Sequence, residues 1–473
     1  MIALLLCCAA VLWYLTFRQK RKRLYELAAR IPEPKTKYPF IGVVQYTINN
    51  NDLPSSLSDA NDTEFILKKR LDKPNLLWLL RTVIGNAGIF APVSIWTRRR
   101  KLTVPAFSPK IINSYIDILI QRSDNLSERL SLANRVGTGP FQAWSHIFEY
   151  SIEVLFETAF GIDDNTLIKQ KKHDFLQKST DIMDLVTHRA FRIWYWSDFI
   201  YKFTDAYRKF VDAKKFTYDF TDEIIQRKRK VLENIADETE IQNGESVKTV
   251  RCFLDHLILL SRRDGITDIE LREEVLTFLF AGTDTSSVAI CNTLKLLAKY
   301  PKVQEKLYQE IIEVLGDPTR TLTKDDLQEL KYLERVIKES LRLFPPVPFI
   351  MREVLEETEL PSGTILPNGT NMFISLWAIG RDPSQWGADA DCFDPDRFLP
   401  DRKTGLFIPF SYGPRNCIGY QFAFMSIKLA LIAIVRKFRV TGEEENGPIP
   451  HMECIYNIMM KAKDGYEIGL EMR

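Results

Sequence analysis

The 473-residue sequence lacks the signals that mark several large classes of protein. It has no internal repeat, no low-complexity tract and no strong break in composition, so one large domain is the simplest organisation. Its seven cysteines are odd in number and scattered, which fits a reducing compartment better than a disulfide scaffold. Its 64 basic and 62 acidic residues leave a net charge of +2, which argues against nucleic acid as the main partner.

What the sequence does have at its start is a run without charged residues, at positions 1–17, followed by five basic residues within 18–23. As an α-helix this run spans roughly 24 Å, slightly less than the roughly 27 Å hydrocarbon core of the endoplasmic reticulum membrane. A cleaved secretory signal is the alternative, but its positive charge would precede the apolar stretch. We therefore expect a membrane anchor at 1–17, a basic, proline-containing hinge at 18–40, and a domain at 41–473 on the cytosolic side.

The pattern of apolar residues predicts a mainly α fold with a small β lobe. Helical periodicity dominates from about 102 to 343. Polar stretches at 163–165 and 234–248 are predicted to be surface loops. Short strand-like patterns, separated by turn residues, lie mainly at 40–47, 354–372 and 456–472.

One long helix has clear boundaries in this pattern. Thr267 and Glu270 form a capping box that predicts its start, and Pro301 predicts its end. Residues 281–287 of this helix read Ala-Gly-Thr-Asp-Thr-Ser-Ser between apolar stretches. Glycine weakens a helix and threonine hydroxyls compete for its carbonyls, so this polar segment is locally unfavourable. A solvated helix face is the alternative interpretation, which the apolar residues on both sides oppose.

The most informative segment surrounds Cys417, because it has the features that stabilise a thiolate. Two glycines, Gly413 and Gly419, frame the cysteine, and an apolar helical pattern follows. Arg415 and the free N–H groups of that helix offer positive charge to the sulfur. The glycines allow the backbone to approach a flat ligand closely. A lone cysteine is most often a small buried hydrophobe, and the other six cysteines are interpreted that way.

A second polar group combines two distant segments. Glu339 and Arg342 lie three residues apart on one face of a predicted helix. Such a pair is usually a surface salt bridge. Arg397, in a Pro-Asp-Arg-Phe segment, can complete a buried Glu–Arg–Arg cluster, because planar guanidinium groups bind carboxylates in a bidentate way. We expect this cluster to support the Cys417 loop without a direct role in chemistry.

Together these motifs resemble the cytochrome P450 superfamily of microsomal type. The motifs are Ala281–Thr285, Glu339 with Arg342, Arg397 with Phe398, and the Cys417 loop, in the family's order. The resemblance extends over essentially the whole chain beyond the hinge. The sequence at 272–287 looks most like that of the animal clan of fatty-acid ω-hydroxylases and related insect monooxygenases. It implies the P450 fold, in which haem b lies between a long central helix and a cysteine loop.

The resemblance also implies roles for individual residues. Cys417 would be the axial ligand of the haem iron, and Asp284 and Thr285 would relay protons. The remaining haem-binding residues would be Phe410, Gly413 and Gly419 in the loop, and Trp96, Arg100, Arg352 and Arg415 near the propionates. Candidates for the pocket lining are Phe278, Leu279, Val347 and Phe349.

The implied activity is that of a monooxygenase that inserts one oxygen atom of O2 into a lipophilic substrate. The substrate classes are fatty acids, hormone-like lipids, terpenoids and xenobiotics. No dinucleotide or flavin fingerprint is present, so electrons would come from NADPH–cytochrome P450 reductase, with cytochrome b5 as a second candidate donor. A basic face for this partner would comprise Arg98, Arg99, Lys101, Arg402, Lys403 and Lys428. The protein would be anchored in the endoplasmic reticulum membrane, with membrane lipid as a further partner and its catalytic domain on the cytosolic side.

Two other functions fit a haem protein of this fold. One is an isomerase or dehydratase that rearranges a peroxide without a reductase, but such proteins typically lack the acid–alcohol pair present at Asp284 and Thr285. The other is a haem sensor or carrier without turnover. The chain also departs from the family pattern at three positions. Ala281 cannot form the ester to haem that a glutamate forms in that branch, Gly380 stands where histidine is common, and Ser286 replaces a usual threonine.

Overall fold

The computed structural model describes residue 19 and residues 59–136, 139–162, 165–240, 252–263, 265–317 and 320–473. The expected anchor, the expected hinge apart from Gln19, and the strand-like pattern at 40–47 lie outside these residues. Within the described part of the chain, no helix combines the length and apolar character needed to cross a membrane.

Helices form most of the described structure, which confirms the mainly α fold class. In chain order they are α1 (Ala60–Lys69), α2 (Trp78–Ile84), α3 (Val93–Thr103), α4 (Pro109–Asn113), α5 (Ile116–Val136), α6 (Trp144–Thr158), α7 (Asn165–Ala190), α8 (Asp198–Tyr201), α9 (Asp205–Glu240), α10 (Phe253–Arg263), α11 (Asp268–Lys299), α12 (Pro301–Leu315), α13 (Asp326–Glu329), α14 (Lys331–Leu343), α15 (Leu376–Ile379), α16 (Pro383–Trp386) and α17 (Tyr420–Lys437).

The strands are short and pair in an antiparallel sense. They are β1 (Phe141–Gln142), β2 (Phe349–Val354), β3 (Thr358–Glu359), β4 (Ile365–Leu366), β5 (Thr370–Ser375), β6 (Phe438–Thr441), β7 (Cys454–Asn457), β8 (Met459–Ala462) and β9 (Glu467–Met472). Strand β9 lies between β1 and β6 in one sheet, and the other pairs are β2–β5, β3–β4 and β7–β8. Gly363 and Gly369 take positive φ angles of 81° and 83° in the turns around β4, as the turn residues predicted.

The predicted long helix is α11, and its predicted boundaries are confirmed. Thr267 accepts a hydrogen bond from the Glu270 N–H, and the Glu270 carboxylate accepts one from the Thr267 N–H, so the capping box is complete. The helix ends at Lys299, and Pro301 begins α12, where its missing N–H costs nothing.

Helix α11 connects two hydrophobic cores. Its first half contributes Leu271 and Leu279 to a core shared with α7, α9 and α10. Its second half contributes Ile290 and Leu294 to a core shared with α5, α12, α14 and α17. Burying one such side chain stabilises the fold by about 1.5–3 kcal/mol. The polar segment 281–287 therefore lies between two apolar regions, which hold it in place from both ends.

One loop prediction was wrong in part. Polar composition predicted a loop from residue 234, yet α9 continues to Glu240. The reason is that three glutamates and an alanine at 233–240 are good helix formers, so polarity alone does not end a helix. Helix α7 likewise begins at Asn165, inside the loop predicted at 163–165.

Candidate active site

Cys417 lies in a loop that the chain folds back on itself. The Cys417 N–H donates to the carbonyl of Phe410 over 2.8 Å, and a short 3₁₀ turn at Gly413–Arg415 lies between them. The ring of Phe410 contacts Phe424 of α17, with centroids 5.8 Å apart. These contacts fix the loop directly before α17, so that Cys417 stands at the N-terminal end of that helix.

Cys417 is an exposed residue although protein surrounds its thiol. The residue is solvent-exposed by surface area, yet burial raises the pKa of its thiol, while the Gly419 N–H and the charge of Arg100 lower that pKa. We interpret this combination as a residue that opens onto a recess in the protein. The positive charge acting on the sulfur thus comes from Arg100, not from Arg415 as the sequence suggested.

The two glycines of the loop serve different purposes. Gly413 has a φ of +71°, and a Cβ there would lie 2.5 Å from the carbonyl oxygen of Leu67 in α1. Glycine is therefore needed at 413 for the loop to pack on α1, which is a different reason from the close approach to a ligand expected above. At Gly419 a Cβ would meet only Phe107, at 3.9 Å. The protein itself thus leaves room at 419.

Helix α3 supplies two of the predicted residues to the loop. Arg100 donates to the carbonyl oxygen of Asn416 over 3.0 Å and to its side-chain oxygen over 2.8 Å. Trp96 is buried, and the guanidinium of Arg415 lies 4.2 Å from the centre of its ring. The Arg415 guanidinium also donates to three backbone carbonyls, those of Leu71, Gly88 and Ala91.

Arg352 of β2 has unused donors. Its side chain is fully buried, and burial lowers the pKa of the guanidinium to about 10. One nitrogen donates to the carbonyl of Met351, whereas Nε and Nη2 have no hydrogen-bond partner among the described residues. Buried donors without partners are costly, so an acceptor outside the described residues is expected there. An exposed cysteine with such donors suits haem, which needs an axial ligand and cations for its propionates.

The polar segment of α11 carries the predicted proton-transfer residues. The hydroxyl of Thr285 donates to the carbonyl of Ala281 over 2.7 Å, as expected for a threonine inside a helix. Burial raises the pKa of the Asp284 carboxyl, and the charge of Lys461 opposes this. Lys461, on β8, lies 3.5 Å from the Asp284 carboxylate and 4.2 Å from the ring centre of Trp144. Helix α11 packs against α17, which begins three residues after Cys417.

Glu339, Arg342 and Arg397 form one buried cluster. Arg342 Nε and Nη2 each lie 2.7 Å from a different oxygen of Glu339, and Arg397 Nε lies 3.4 Å from it. Asp389 pairs with Arg397 from the surface side. All three members of the cluster are at most 2% exposed. Removing one partner from a buried ion pair costs about 3–5 kcal/mol, because the other charge remains buried. Their role in supporting the Cys417 loop stays a prediction.

The family departure at Gly380 has a local reason. Arg342 Nη1 donates to the Gly380 carbonyl, and a Cβ at 380 would collide with the backbone oxygen of Arg342. Gly282, in the polar segment, is similarly close to another chain segment, since a Cβ there would lie 3.1 Å from Leu155. Ser286 is buried.

The predicted basic face needs a correction at Arg99. This side chain is buried, with its guanidinium 2.9 Å from Glu273 and 3.3 Å from each of Glu270 and Glu274. Burial raises the pKa of the Glu274 carboxyl to about 7, against the charge of Arg99. Arg99 therefore joins α3 to the start of α11. Helical spacing contained this signal, because Arg99 lies three residues after the buried Trp96.

The other basic residues and the predicted pocket residues divide into groups. Arg98, Lys101, Arg402 and Lys403 are exposed, whereas Lys428 is mostly buried and pairs with Glu334 over 2.9 Å.

Among the pocket candidates, Leu279 is fully buried in the core. Phe278 stacks on Phe107 and packs at a tilt against Phe253. Phe349 packs on Tyr456 of β7, with ring centres 4.5 Å apart, and Val347 is half-buried.

Comparisons with known proteins agree with this geometry. The family model for cytochrome P450 matches residues 55–468. Cytochrome P450 4d2 of Drosophila melanogaster is 35% identical over 430 residues, which cover 88% of this chain and 84% of that protein. Cytochromes P450 4F8 and 4F3 of Homo sapiens are 30% and 33% identical, over 91% and 76% of this chain and 79% and 70% of their own lengths. The chain therefore belongs to the cytochrome P450 family, in the animal clan of these relatives, and is a haem-thiolate monooxygenase that receives electrons from a reductase and acts on a lipophilic substrate.

Proposed function

We propose that Cys417 ligates the haem iron and that Asp284 and Thr285 deliver protons during the oxidation of a lipid-like substrate. The observation that carries this proposal is the exposed residue Cys417, whose sulfur is next to the Gly419 N–H in the loop before α17, the helix that packs on α11. An N–H donor and the charge of Arg100 favour the thiolate over the thiol.

The chain's own residues hold and orient the cofactor in this proposal. When bound, haem supplies the activation of O2 and the insertion of one oxygen atom into a C–H bond. Trp96, Arg100, Arg352 and Arg415 offer N–H donors to its carboxylates. Phe410, Gly413 and Gly419 shape the loop around Cys417. The Glu339 cluster keeps this part of the fold in one arrangement.

Proton transfer is assigned to two neighbouring groups on α11. Asp284 is buried yet paired with Lys461, so its carboxylate can exchange a proton without losing all its stabilisation. Thr285 is adjacent and holds its hydroxyl against the Ala281 carbonyl. Its oxygen still has lone pairs that can accept a proton from one side while the hydrogen is passed on to the other.

The substrate is proposed to be a fatty acid, hormone-like lipid, terpenoid or lipophilic xenobiotic. Half-buried apolar groups support this class, since Val347 and Phe349 are both half-buried and Phe349 packs on Tyr456 of the β7–β8 hairpin. Apolar lining with few polar groups favours an apolar ligand.

The exposed residues Arg98, Lys101, Arg402 and Lys403 are proposed as the docking face for the reductase and for cytochrome b5. Exposed like charges attract an acidic partner and raise the rate of encounter, and salt weakens this attraction. Arg402 is partly compensated by Asp394 and Asp389, and Arg98 by Glu270 at 3.4 Å, so the two lysines carry most of the open charge.

The experiment that tests the function is NADPH consumption in a reconstituted mixture with reductase. We expect a lipophilic substrate that shifts the haem absorption spectrum also to stimulate NADPH consumption, and added salt to slow it. A peroxide isomerase would instead convert a lipid hydroperoxide without NADPH and leave unoxidised lipid unchanged. A haem carrier would show no substrate-stimulated consumption. Either of these two results would contradict the proposal.

We further propose that the protein sits on the endoplasmic reticulum membrane, with its large domain in the cytosol. A cluster of exposed apolar side chains, which we call the aromatic patch, supports this. The patch consists of Phe191, Trp194, Trp196, Phe199, Ile200 and Phe203. Phe199 and Phe203 are each 75% exposed, and the exposed residues Arg192 and Lys202 lie beside them. Clustered exposed aromatic groups with cations at the edge suit the membrane interface.

The aromatic patch is held in shape by the turn beneath it. The guanidinium of Arg189 pairs with Asp198 over 2.5 Å and lies 4.0 Å from the ring centre of Tyr201. It also lies 4.7 Å from the ring centre of Trp78 on α2. The buried side chain of Arg189, with the carboxylate and the rings that it contacts, therefore fixes the turn from which the apolar side chains of the aromatic patch project into solvent.

Removing aromatic rings from the patch should weaken membrane binding. For a chain lacking residues 1–17, we expect the double change Phe199→Ser and Phe203→Ser to lower partition onto lipid vesicles at least about tenfold, because each exposed ring loses a lipid contact. Vesicle co-sedimentation measures this. Val231→Ser is the control. Val231 is 48% exposed, but it lies about 40 Å along α9 from the start of that helix, which directly follows the patch in the chain. Equal partition of all three proteins would contradict the assignment.

A further inference from the structure

Lys73 lies between two elements of the candidate haem site. The residue before it, Asp72, accepts a backbone hydrogen bond from the Glu353 N–H over 2.9 Å, which joins this segment to β2 beside Arg352. Leu71 accepts a hydrogen bond from Arg415 Nε over 3.1 Å, which joins the same segment to the Cys417 loop. The chain thus brings Lys73 to the place where β2 and the loop meet.

The charges around Lys73 are positive. Burial, followed by the charges of Arg352 and Arg415, lowers the pKa of the Lys73 ammonium well below its ordinary value. The pKa of the Arg415 guanidinium is also lowered, mainly by burial and then by the charge of Arg352. Asp72 acts on Arg415 at a distance, but no carboxylate of the described residues lies within 4 Å of Lys73, Arg352 or Arg415. Three cations are thus gathered without a carboxylate of the described residues in ion-pair contact, and Asp72 offsets their charge only from farther away.

These cations differ in what their donors contact. Arg415 gives its hydrogen bonds to three backbone carbonyls, and Arg100 gives two to Asn416. Arg352 has two buried nitrogens without a partner. No described residue accepts a hydrogen bond from Lys73, which is partly accessible although it lies among these groups. Arg100 and Arg415 thus already give some of their five N–H donors to the chain, whereas Arg352 keeps two whole nitrogens, and Lys73 its ammonium, without an acceptor among the described residues. Haem carries two carboxylates that can accept from them.

We propose that Lys73 binds a propionate carboxylate of the haem, together with Arg352. The assignment rests on the proposed function, because it requires that haem is bound at Cys417. An anion at this place would offset the repulsion among three gathered cations and satisfy donors that are otherwise buried without partners. Charge-assisted hydrogen bonds of this kind are stronger than neutral ones. Lys73 is thus a cofactor-positioning residue, not a group that takes part in the chemistry.

The rate at which haem leaves the full-length holoprotein tests this assignment. We expect Lys73→Met to lose haem to an apomyoglobin acceptor about tenfold faster than the wild type. Lys73→Arg should restore most of the retention, because it keeps a cation at the site. Lys69→Met is the matched control, since Lys69 is an exposed lysine four residues earlier on α1, and it should lose haem at the wild-type rate.

A second cofactor separates binding of a carboxylate from a general effect on the fold. When the proteins contain the dimethyl ester of haem, which has no free carboxylates, wild type and Lys73→Met should lose it at equal rates. Equal rates with ordinary haem, or a faster rate in the variant that persists with the ester, would overturn the assignment while leaving haem binding by Cys417 intact. A wild type that took up no haem would overturn the proposed function and this assignment together.

Discussion

Cys417→Ser should yield a folded protein that has lost the thiolate type of haem spectrum and all product formation. A serine oxygen is a poor ligand for this iron and supplies no thiolate electron density to favour cleavage of the O–O bond. The change is small in volume, and the backbone bond from the Cys417 N–H to Phe410 does not involve the sulfur. The long-wavelength absorption band of the carbon monoxide complex of the reduced protein is the measurement.

A control for this variant lies elsewhere in the chain. Cys454 is partly buried on β7, and its thiol contacts the Met452 carbonyl at 3.5 Å. Cys454→Ser should keep both the spectrum and the turnover. If the Cys417→Ser protein retained the thiolate spectrum, another residue would be the ligand, and the interpretation of the whole loop would be wrong.

Thr285→Ala should separate electron consumption from product formation. Without the hydroxyl, the proton relay beside Asp284 is broken, and we expect product formation to fall about a hundredfold, the lower end of what a positioned proton-transfer group contributes. NADPH consumption should continue, with the electrons appearing as released hydrogen peroxide. The ratio of product to peroxide measures the effect directly and does not depend on enzyme concentration.

Thr285→Ser is the matched variant, because it keeps the hydroxyl that donates to the Ala281 carbonyl. It should retain a product-to-peroxide ratio near that of the wild type. A Thr285→Ala protein with the same ratio as the wild type would show that protons reach the site by another route, and the roles of Thr285 and Asp284 would have to be abandoned.

The features that could be predicted from the sequence are those that depend on neighbouring residues. The limits of α11 follow from a capping box and a proline, which act within a few residues. The turns at Gly363 and Gly369 follow from local backbone geometry. The candidate haem site was likewise predicted from short motifs, because the glycines, arginine and cysteine of the loop are close in the chain, and its assignment stays a prediction.

The features that could not be predicted depend on distant contacts. Arg99 was expected on the surface, but its partners are glutamates more than 170 residues away. Lys73 belongs to no motif, and only the folding of β2 and the Cys417 loop against its segment places it among cations. Gly413 was assigned to ligand approach, whereas the contact that requires it is with α1.

The tight contact at Gly380 limits how this enzyme can be engineered. A designer who averages related sequences would restore the histidine that is common at this position. In this backbone any Cβ would meet the oxygen of Arg342, within the cluster that buries two guanidiniums on one glutamate. The replacement would succeed only with a coordinated shift of α14 and the segment at 380–397. Sequence averaging is therefore a poor guide at position 380. A substitution there should be combined with changes in the residues that it would contact.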